Sequence, residues 1–374
     1  MTASASATSS ILSSNAWRFS KPILEDKCRL LFAGPHFQAA LGYTERSLRK
    51  RKLWQDVEIV HAPTTSELMQ VAPQAHVALP FMQRFPADFL QAAEHLRLVQ
   101  QFGVGLEGVD IKAATKLRIA VANVPAQGTG NAEATAEHAI FLAISLLRRA
   151  PRDLPQRFQD GILGGLPPPK TLYGQNVTVV GFGNVGQQIC RYCQMMGANV
   201  TAVRKRPWES LDITSTTSSS SNLDGQDVIQ KLSQTSTRLE DVLPSTDVLI
   251  LACPVTPETH FLMNRTTLPL LSHHALVINV GRGPLVEYDA IYEALEAKQI
   301  GGFASDVGVG HKTKPSEPWD PRDPLNELDN VLFTPHVGGY SELSYQRMTE
   351  VVVDHVERIL HQKPPQIWVN QPAC

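Results

Sequence analysis

The sequence predicts an α/β protein built on parallel sheets with crossover helices. Three observations carry that prediction. Short β-branched, apolar runs alternate with helical patterns from Asn176 onward, and a glycine-rich loop joins one such run to a helix. The 374 residues are also enough for two domains, each with its own core.

Composition excludes several classes before any element is placed. A hydrophobic fraction of 43% with 19% charged residues is that of an ordinary globular chain. The formal net charge of −2 leaves no basic field to attract nucleic acid or an anionic membrane surface. The longest helical apolar stretch, Ala139 to Leu147, is far too short to cross a bilayer. Five irregularly spaced cysteines argue for a reducing compartment rather than a disulfide framework. Cys190 and Cys193 form a C-x-x-C pair that would suit zinc or thiol redox chemistry. With no second pair, and with both on one helix, they read as packing residues, and no metal site is expected.

Taken in order, the chain opens on residues 1–21, mostly Ser, Thr and Ala, with no acidic residue before Glu25. Two readings of that segment stay open, a plastid or mitochondrial transit peptide and a disordered tail of a cytoplasmic protein. A first strand is expected over Arg29–Gly34. Another runs from Leu96 to Gln101 and closes on Gly103-Val104-Gly105. Asn131 is a good N-cap for a helix reaching Arg149, with Glu133 and Glu137 early and Arg148 and Arg149 late, as the helix dipole favours. Further strands are expected at Val177–Gly181, Val200–Arg204, Val248–Cys253, Ala275–Val280, Gly302–Val307 and Val331–Thr334. The polar run Thr214–Asn222 cannot bury apolar area and reads as a surface loop. Met348, Val352, Val356 and Ile359 recur at helical period within Leu343–His361.

The loop Gly181-Phe182-Gly183-Asn184-Val185-Gly186 follows a β-branched strand and opens a helix over Gln187–Met196, the context in which G-x-G-x-x-G binds a dinucleotide. Gly181 makes the tight turn, Gly183 lets backbone N–H groups approach a pyrophosphate, and Gly186 lets helix and strand pack closely. The helix N-terminus faces the phosphates with its positive dipole end. About 20 residues on, an Asp or Glu normally binds the adenosine ribose 2′-OH. Here that place is Arg204, followed by Lys205 and Arg206. A guanidinium accepts a 2′-phosphate that a carboxylate would repel, so NADP is favoured, with NAD the other possibility.

Two further strand ends deliver chemistry. Asn279-Val280-Gly281-Arg282-Gly283 places an arginine between glycines, and Thr334-Pro335-His336-Val337-Gly338-Gly339 repeats the device with a histidine. In open α/β sheets, ligands sit beyond the carboxyl ends of the strands.

These three segments, in this order and at these intervals, resemble the D-isomer-specific 2-hydroxyacid dehydrogenases. Further matches are Gly103–Asp110, Gly130–His138 and Cys253–Thr259. The resemblance runs from about residue 96 to the C-terminus and is weaker before it. It implies two Rossmann-like, doubly wound domains with a cleft between them. A flavodoxin-like substrate domain would use 22–125 plus 338–374, and the dinucleotide domain 126–337. Arg282 would clamp the substrate carboxylate, His336 would be the acid/base, and Glu317 would hold and charge the imidazole. Backbone N–H groups of Val104 and Gly105 would hold the substrate carboxylate. Asp306 would contact the nicotinamide, with Pro254, Thr259, Val280, Gly281, Gly338 and Gly339 also at the cofactor. The family's glutamate usually follows its aspartate more closely. Gly308–Thr313 therefore reads as an insertion that either loops out or displaces Glu317.

The implied activity is reduction or oxidation of a small 2-keto or 2-hydroxy acid such as glyoxylate or hydroxypyruvate, by a homodimer formed through the 131–149 helix. A second enzymic reading is phosphoglycerate dehydrogenase. The short stretch after the final helix, with no room for a regulatory module, counts against it. A third, from another class, is a nucleotide-binding corepressor working through protein contacts, disfavoured by the Arg, Glu and His set.

Overall fold

Every strand pairing among the described residues is parallel, and neighbouring parallel strands need crossovers long enough to hold a helix. The computed structural model describes residues 16–34, 38–150, 153–161, 168–210, 225–308 and 323–371. The chain forms two compact units, 1–125 with 345–374 and 126–344.

Unit 1 carries strands β1 (Cys28–Ala33), β2 (Val57–Ala62), β3 (Val77–Pro80), β4 (Leu98–Gln100) and β5 (Ala120–Ala122) in the order β2-β1-β3-β4-β5. That is the flavodoxin-like doubly wound order. Helices α1 (Gln38–Lys50), α2 (Thr65–Val71), α3 (Ala87–Ala92) and α4 (Ile111–Lys116) make the crossovers. Strands covered on both faces must be apolar throughout, and β1, β3, β4 and β5 are buried at nearly every position.

Unit 2 begins with α5 (Asn131–Leu147) and α6 (Asp153–Asp160), followed by β6 (Asn176–Val180), α7 (Asn184–Met195), β7 (Asn199–Val203), α8 (Gly225–Gln230) and β8 (Gln234–Ser236). Then come β9 (Val248–Leu251), β10 (Leu276–Asn279), α9 (Tyr288–Glu296), β11 (Gly302–Ser305) and β12 (Val331–Phe333). Their order, β12-β11-β10-β9-β6-β7-β8, winds outward in both directions from the β6/β9 pair. That pair is the topological switch point where such sheets bind dinucleotides.

The last helix, α10 (Glu342–Leu360), buries Met348, Val352, Val356 and Ile359 in the core of unit 1, the four positions of its helical period. The chain returns to unit 1 at Tyr345 rather than at 338. Residues 338–344 stay with unit 2 because Gly338 N donates to Asp306 and Ser344 Oγ donates to Gly339 O.

Three expectations need correcting. Residues 16–21 are not a loose tail: Phe19 is buried, Trp17 meets Trp368 edge to face, and Arg18 Nη1 donates to the carbonyls of Ala93 and Glu94. The N-cap of α5 is Gly130, at φ +79°, and Asn131 is the first helical residue. That helix stops at Leu147, so Arg148 is its C-cap and Arg149 lies beyond at φ +53°. Cys190 and Cys193 are buried, free thiols on α7. Burial pushes Cys193 up to about 12 and raises Cys190 well above the usual thiol range, so neither is a thiolate at neutral pH. The Thr214–Asn222 run and the Gly308–Thr313 segment beyond its first residue lie outside the described residues.

Candidate active site

In unit 2 the glycine loop leaves β6 directly into α7. A Cβ on Gly181 would lie 2.7 Å from Ala252 O, and one on Gly186 would lie 1.9 Å from Gly181 O. Both glycines are therefore steric requirements of the turn itself. Gly183 differs, because a Cβ there would meet no protein atom within 4 Å. It is the N-cap of α7 and supplies no side-chain hydrogen bond, so the helix begins without a capping oxygen. The first-turn N–H groups of an uncapped helix are donors for an anion. Asn184, Val185 and Gly186 form that first turn. An open face over Gly183 and an uncapped N-terminus at the switch point fit a pyrophosphate.

Arg204 follows β7, its backbone N–H bonded to Ser236 O. Its guanidinium carbon sits 5.5 Å from the Trp208 ring centroid. Nη1 is buried without a hydrogen-bond partner among the described residues. Burial, and then Arg206, lower its pKa, so it lies in a site that would welcome an anion. Arg206 is exposed. Lys205 Nζ pairs with Glu258 Oε1 at 2.9 Å, which the sequence did not indicate. Glu258 belongs to the loop after β9, where Thr259 Oγ1 donates to Pro254 O and accepts from Thr256 N. Lys205 and Arg204 are thus not equivalent members of one basic cluster.

At the end of β10, Val280 is buried and its N–H bonds to Leu251 O. Gly281 is held close by Cys253 O and the Leu285 side chain, both 2.8 Å from where a Cβ would be. Arg282 is then fixed from both sides by the fully buried Asn279. The Asn279 Nδ2 donates to Arg282 O, and its Oδ1 accepts from Gly281 N. Arg282 Nη1 donates to Gly281 O at 2.7 Å.

At the end of β12, His336 has φ +55°, a left-handed conformation that costs a non-glycine residue roughly 1–2 kcal/mol. Asp306, only 3% exposed, sits beneath this turn. Its Oδ1 accepts from Val337 N at 2.9 Å and Thr334 Oγ1 at 2.6 Å, and its Oδ2 accepts from Gly338 N at 2.7 Å. A Cβ on Gly338 would lie 2.8 Å from Asp306 Oδ2, and one on Gly339 would lie 2.3 Å from Asn131 Nδ2. Burial pushes the Asp306 carboxyl up, but hydrogen bonds from His138, Thr334 and the two backbone N–H groups outweigh it and hold it below its ordinary range. The structure thus gives Asp306 a backbone-holding task that the family pattern did not suggest.

In unit 1, Val104 follows β4 and is 46% exposed, with its carbonyl accepting from Asn123 Nδ2. The N–H groups of Val104 and Gly105 have no hydrogen-bond partner among the described residues. Glu317 lies outside the described residues. Among the described residues one His and Glu cluster has metal-ligand composition, Glu25 with His76 and His95 in unit 1. His76 Nδ1 accepts from Arg29 N, so Nε2 carries the proton and donates it to Glu25. A ring nitrogen that carries a proton has no lone pair for a metal.

Asn279, Thr334 and His138 were legible only as members of motif strings. A buried amide beside two glycines was the available signal for Asn279. Nothing local marked His138.

A family model described as "D-isomer specific 2-hydroxyacid dehydrogenase, NAD binding domain" matches residues 140–338. This chain belongs to the D-isomer specific 2-hydroxyacid dehydrogenase family. A D-3-phosphoglycerate dehydrogenase of Archaeoglobus fulgidus is 28% identical over 353 residues, covering 92% of this chain and 60% of the relative. The chain spans 52–60% of the length of three such phosphoglycerate dehydrogenases. A glyoxylate reductase of Pyrococcus furiosus is 28% identical over 345 residues, 90% of each chain. The apo-structure of D-lactate dehydrogenase from Escherichia coli shares the fold with a TM-score of 0.73 at 23% identity, covering 91% of this chain and 99% of that one.

Proposed function

We propose that this protein exchanges a hydride between a nicotinamide dinucleotide, NADP by preference, and C2 of a small 2-keto or 2-hydroxy acid such as glyoxylate or hydroxypyruvate. One observation carries the reading. The glycine loop, Arg282 and His336 follow the carboxyl ends of β6, β10 and β12, three strands of one parallel sheet, where ligands of such sheets bind.

When bound, the cofactor supplies or accepts the hydride. Gly183 and the first turn of α7 hold its phosphates, and Arg204 takes the 2′-phosphate. The Arg282 guanidinium pairs with the substrate carboxylate and polarises the 2-oxo group. His336 gives a proton to that oxygen during reduction, so ketone, hydride and proton balance to an alcohol, and it takes the proton back during oxidation. In unit 1 the N–H groups of Val104 and Gly105 are available to an anionic ligand, and in unit 2 Glu317 keeps the imidazole charged. The half-exposed Phe141 of α5 supports a homodimer through that helix, which light scattering tests.

Steady-state assays of purified protein against glyoxylate, hydroxypyruvate and 3-phosphohydroxypyruvate, each with NADPH and with NADH, test the proposal. Turnover of the first two with NADPH is expected. A preference for the phosphorylated acid would transfer the assignment to serine synthesis. Absence of turnover with all three would overturn the enzymic reading.

A further inference from the structure

We propose that His138 is a positioning residue that locks the turn carrying His336, acting through Thr334 and Asp306; this deepens the reading of His336 as the acid/base and rests on it. The argument begins with hydrogen-bond direction. A buried carboxylate can only accept, and Asp306 takes the N–H groups of Val337 and Gly338, the two residues that follow His336. The Thr334 hydroxyl, 2.6 Å from Oδ1, must therefore donate to it. With its proton spent, that hydroxyl offers only lone pairs to its other neighbour, His138 Nε2 at 2.7 Å. Nε2 therefore carries a proton, and it also lies 3.4 Å from Asp306 Oδ1. The chain of donors runs from His138 through Thr334 to Asp306, with the two backbone N–H groups closing on the same carboxylate.

The turn needs this support. His336 is held left-handed, and Pro335, just before it, has no N–H to anchor. His138 sits on α5 between Ala136 and Ala139, both fully buried in the core of unit 2. It thus ties the turn to a rigid element rather than to another loop, and a strained turn persists only where its surroundings over-determine it. Loss of the Nε2–H leaves the Thr334 hydroxyl bonded to Asp306 but removes the donor that ties its oxygen, and one edge of the carboxylate, to α5.

The test uses the full chain with His138→Leu and His138→Gln, because the glutamine amide keeps an N–H donor near the Nε2 position. Hydrogen–deuterium exchange of the segment 334–339, thermal midpoint, kcat and KM are read together. His138→Leu should speed exchange at Val337 and Gly338 by about tenfold and lower kcat by about 10- to 100-fold, as expected for a displaced reacting group. Keto-acid KM and exchange in β6 and β7 should change little, and His138→Gln should recover most of both losses. Should His138→Leu fail to fold, Thr334→Val interrupts the same chain of donors and carries the same expectation. Unchanged exchange at Val337 and Gly338, or faster exchange spread evenly over unit 2, overturns the proposal. Local loosening in a protein that turns over no keto acid upholds the positioning role and removes the reading of His336.

Discussion

Gly186 and Gly181 approach so closely that a methyl group on the first would lie 1.9 Å from the carbonyl oxygen of the second. Backbone faces backbone there, so no side chain can give way, and α7 would have to lift from β6. Gly183 makes the contrast, since a Cβ on it projects into open space at an ordinary φ of −83°. Gly186→Ala should destabilise the protein by about 3 kcal/mol, the upper range for overpacking, and abolish dinucleotide binding with it. Gly183→Ala should keep its thermal midpoint and weaken dinucleotide binding alone. Calorimetry beside a fluorescence titration with NADPH separates the two, and equal midpoints for both variants would contradict the steric account.

Where strands are β-branched and end in glycine, as at β6 and β10, their chemistry is visible locally. The four strands absent from the sequence expectations carry weaker local signals. β2 (Val-Glu-Ile-Val-His-Ala) and β8 (Gln-Thr-Ser) are sheet edges with partly exposed, polar positions, β3 ends in proline, and β5 is only the three residues Ala-Val-Ala. Asn131 shows the limit of local rules. Its side chain suits an N-cap, yet Gly130 takes that place and Asn131 lies beneath Gly339. Arg282 and His336 could be singled out from their flanking glycines. The burial of Asp306 under the His336 turn depends on three segments far apart in the chain, and no window of sequence contains it.

For His336→Gln the expectation is loss of turnover with cofactor affinity nearly intact. General acid/base help is worth ~10²–10⁴-fold, and kcat should fall by that much. The substitution leaves the backbone bonds of Val337 and Gly338 to Asp306 in place, so the turn should persist. Measured turnover equal to wild type would remove His336 from the chemistry.

His355 makes unit 1 sensitive to acid. Its Nδ1 lies 2.6 Å from Gln100 Oε1 and therefore donates, and the ring is 1% exposed. Burial first, then Arg358, push its pKa down to about 4 against the opposing Asp354. Unfolded, it titrates near ~6.5. Above that pH neither state binds the proton, so stability is unaffected. As pH falls below it the unfolded chain takes up the proton first, and stability drops until the folded ring also protonates near pH 4. The full loss is about 3 kcal/mol at 1.36 kcal/mol for each pKa unit. Urea denaturation between pH 7 and 4 should show a shallower decline for His355→Gln than for wild type. Parallel curves would mean that other groups set the acid limit.

Cofactor choice turns on Arg204, whose guanidinium faces Trp208 with Nη1 lacking a partner among the described residues. A charge-assisted hydrogen bond to a 2′-phosphate is worth ~1.5–3 kcal/mol, which is roughly 10- to 150-fold in affinity. Partial exposure at a strand end and salt screening draw the realised value toward the lower figure. Lys205 adds less than its charge suggests, because Glu258 holds it at 2.9 Å and a phosphate must compete for it. NADPH should therefore exceed NADH in kcat/KM by at least about tenfold, most clearly at low ionic strength. Arg204→Asp should reverse the order, since it repels the 2′-phosphate and supplies an acceptor for the ribose hydroxyl. Glu258→Gln should move the other way and widen the NADPH preference at low salt, by releasing Lys205 without touching Arg204. Equal use of both cofactors by the wild type would reduce Arg204 to a solvated strand end and withdraw the NADP assignment. A reversal in Arg204→Asp with no change in Glu258→Gln would confine the preference to Arg204 alone.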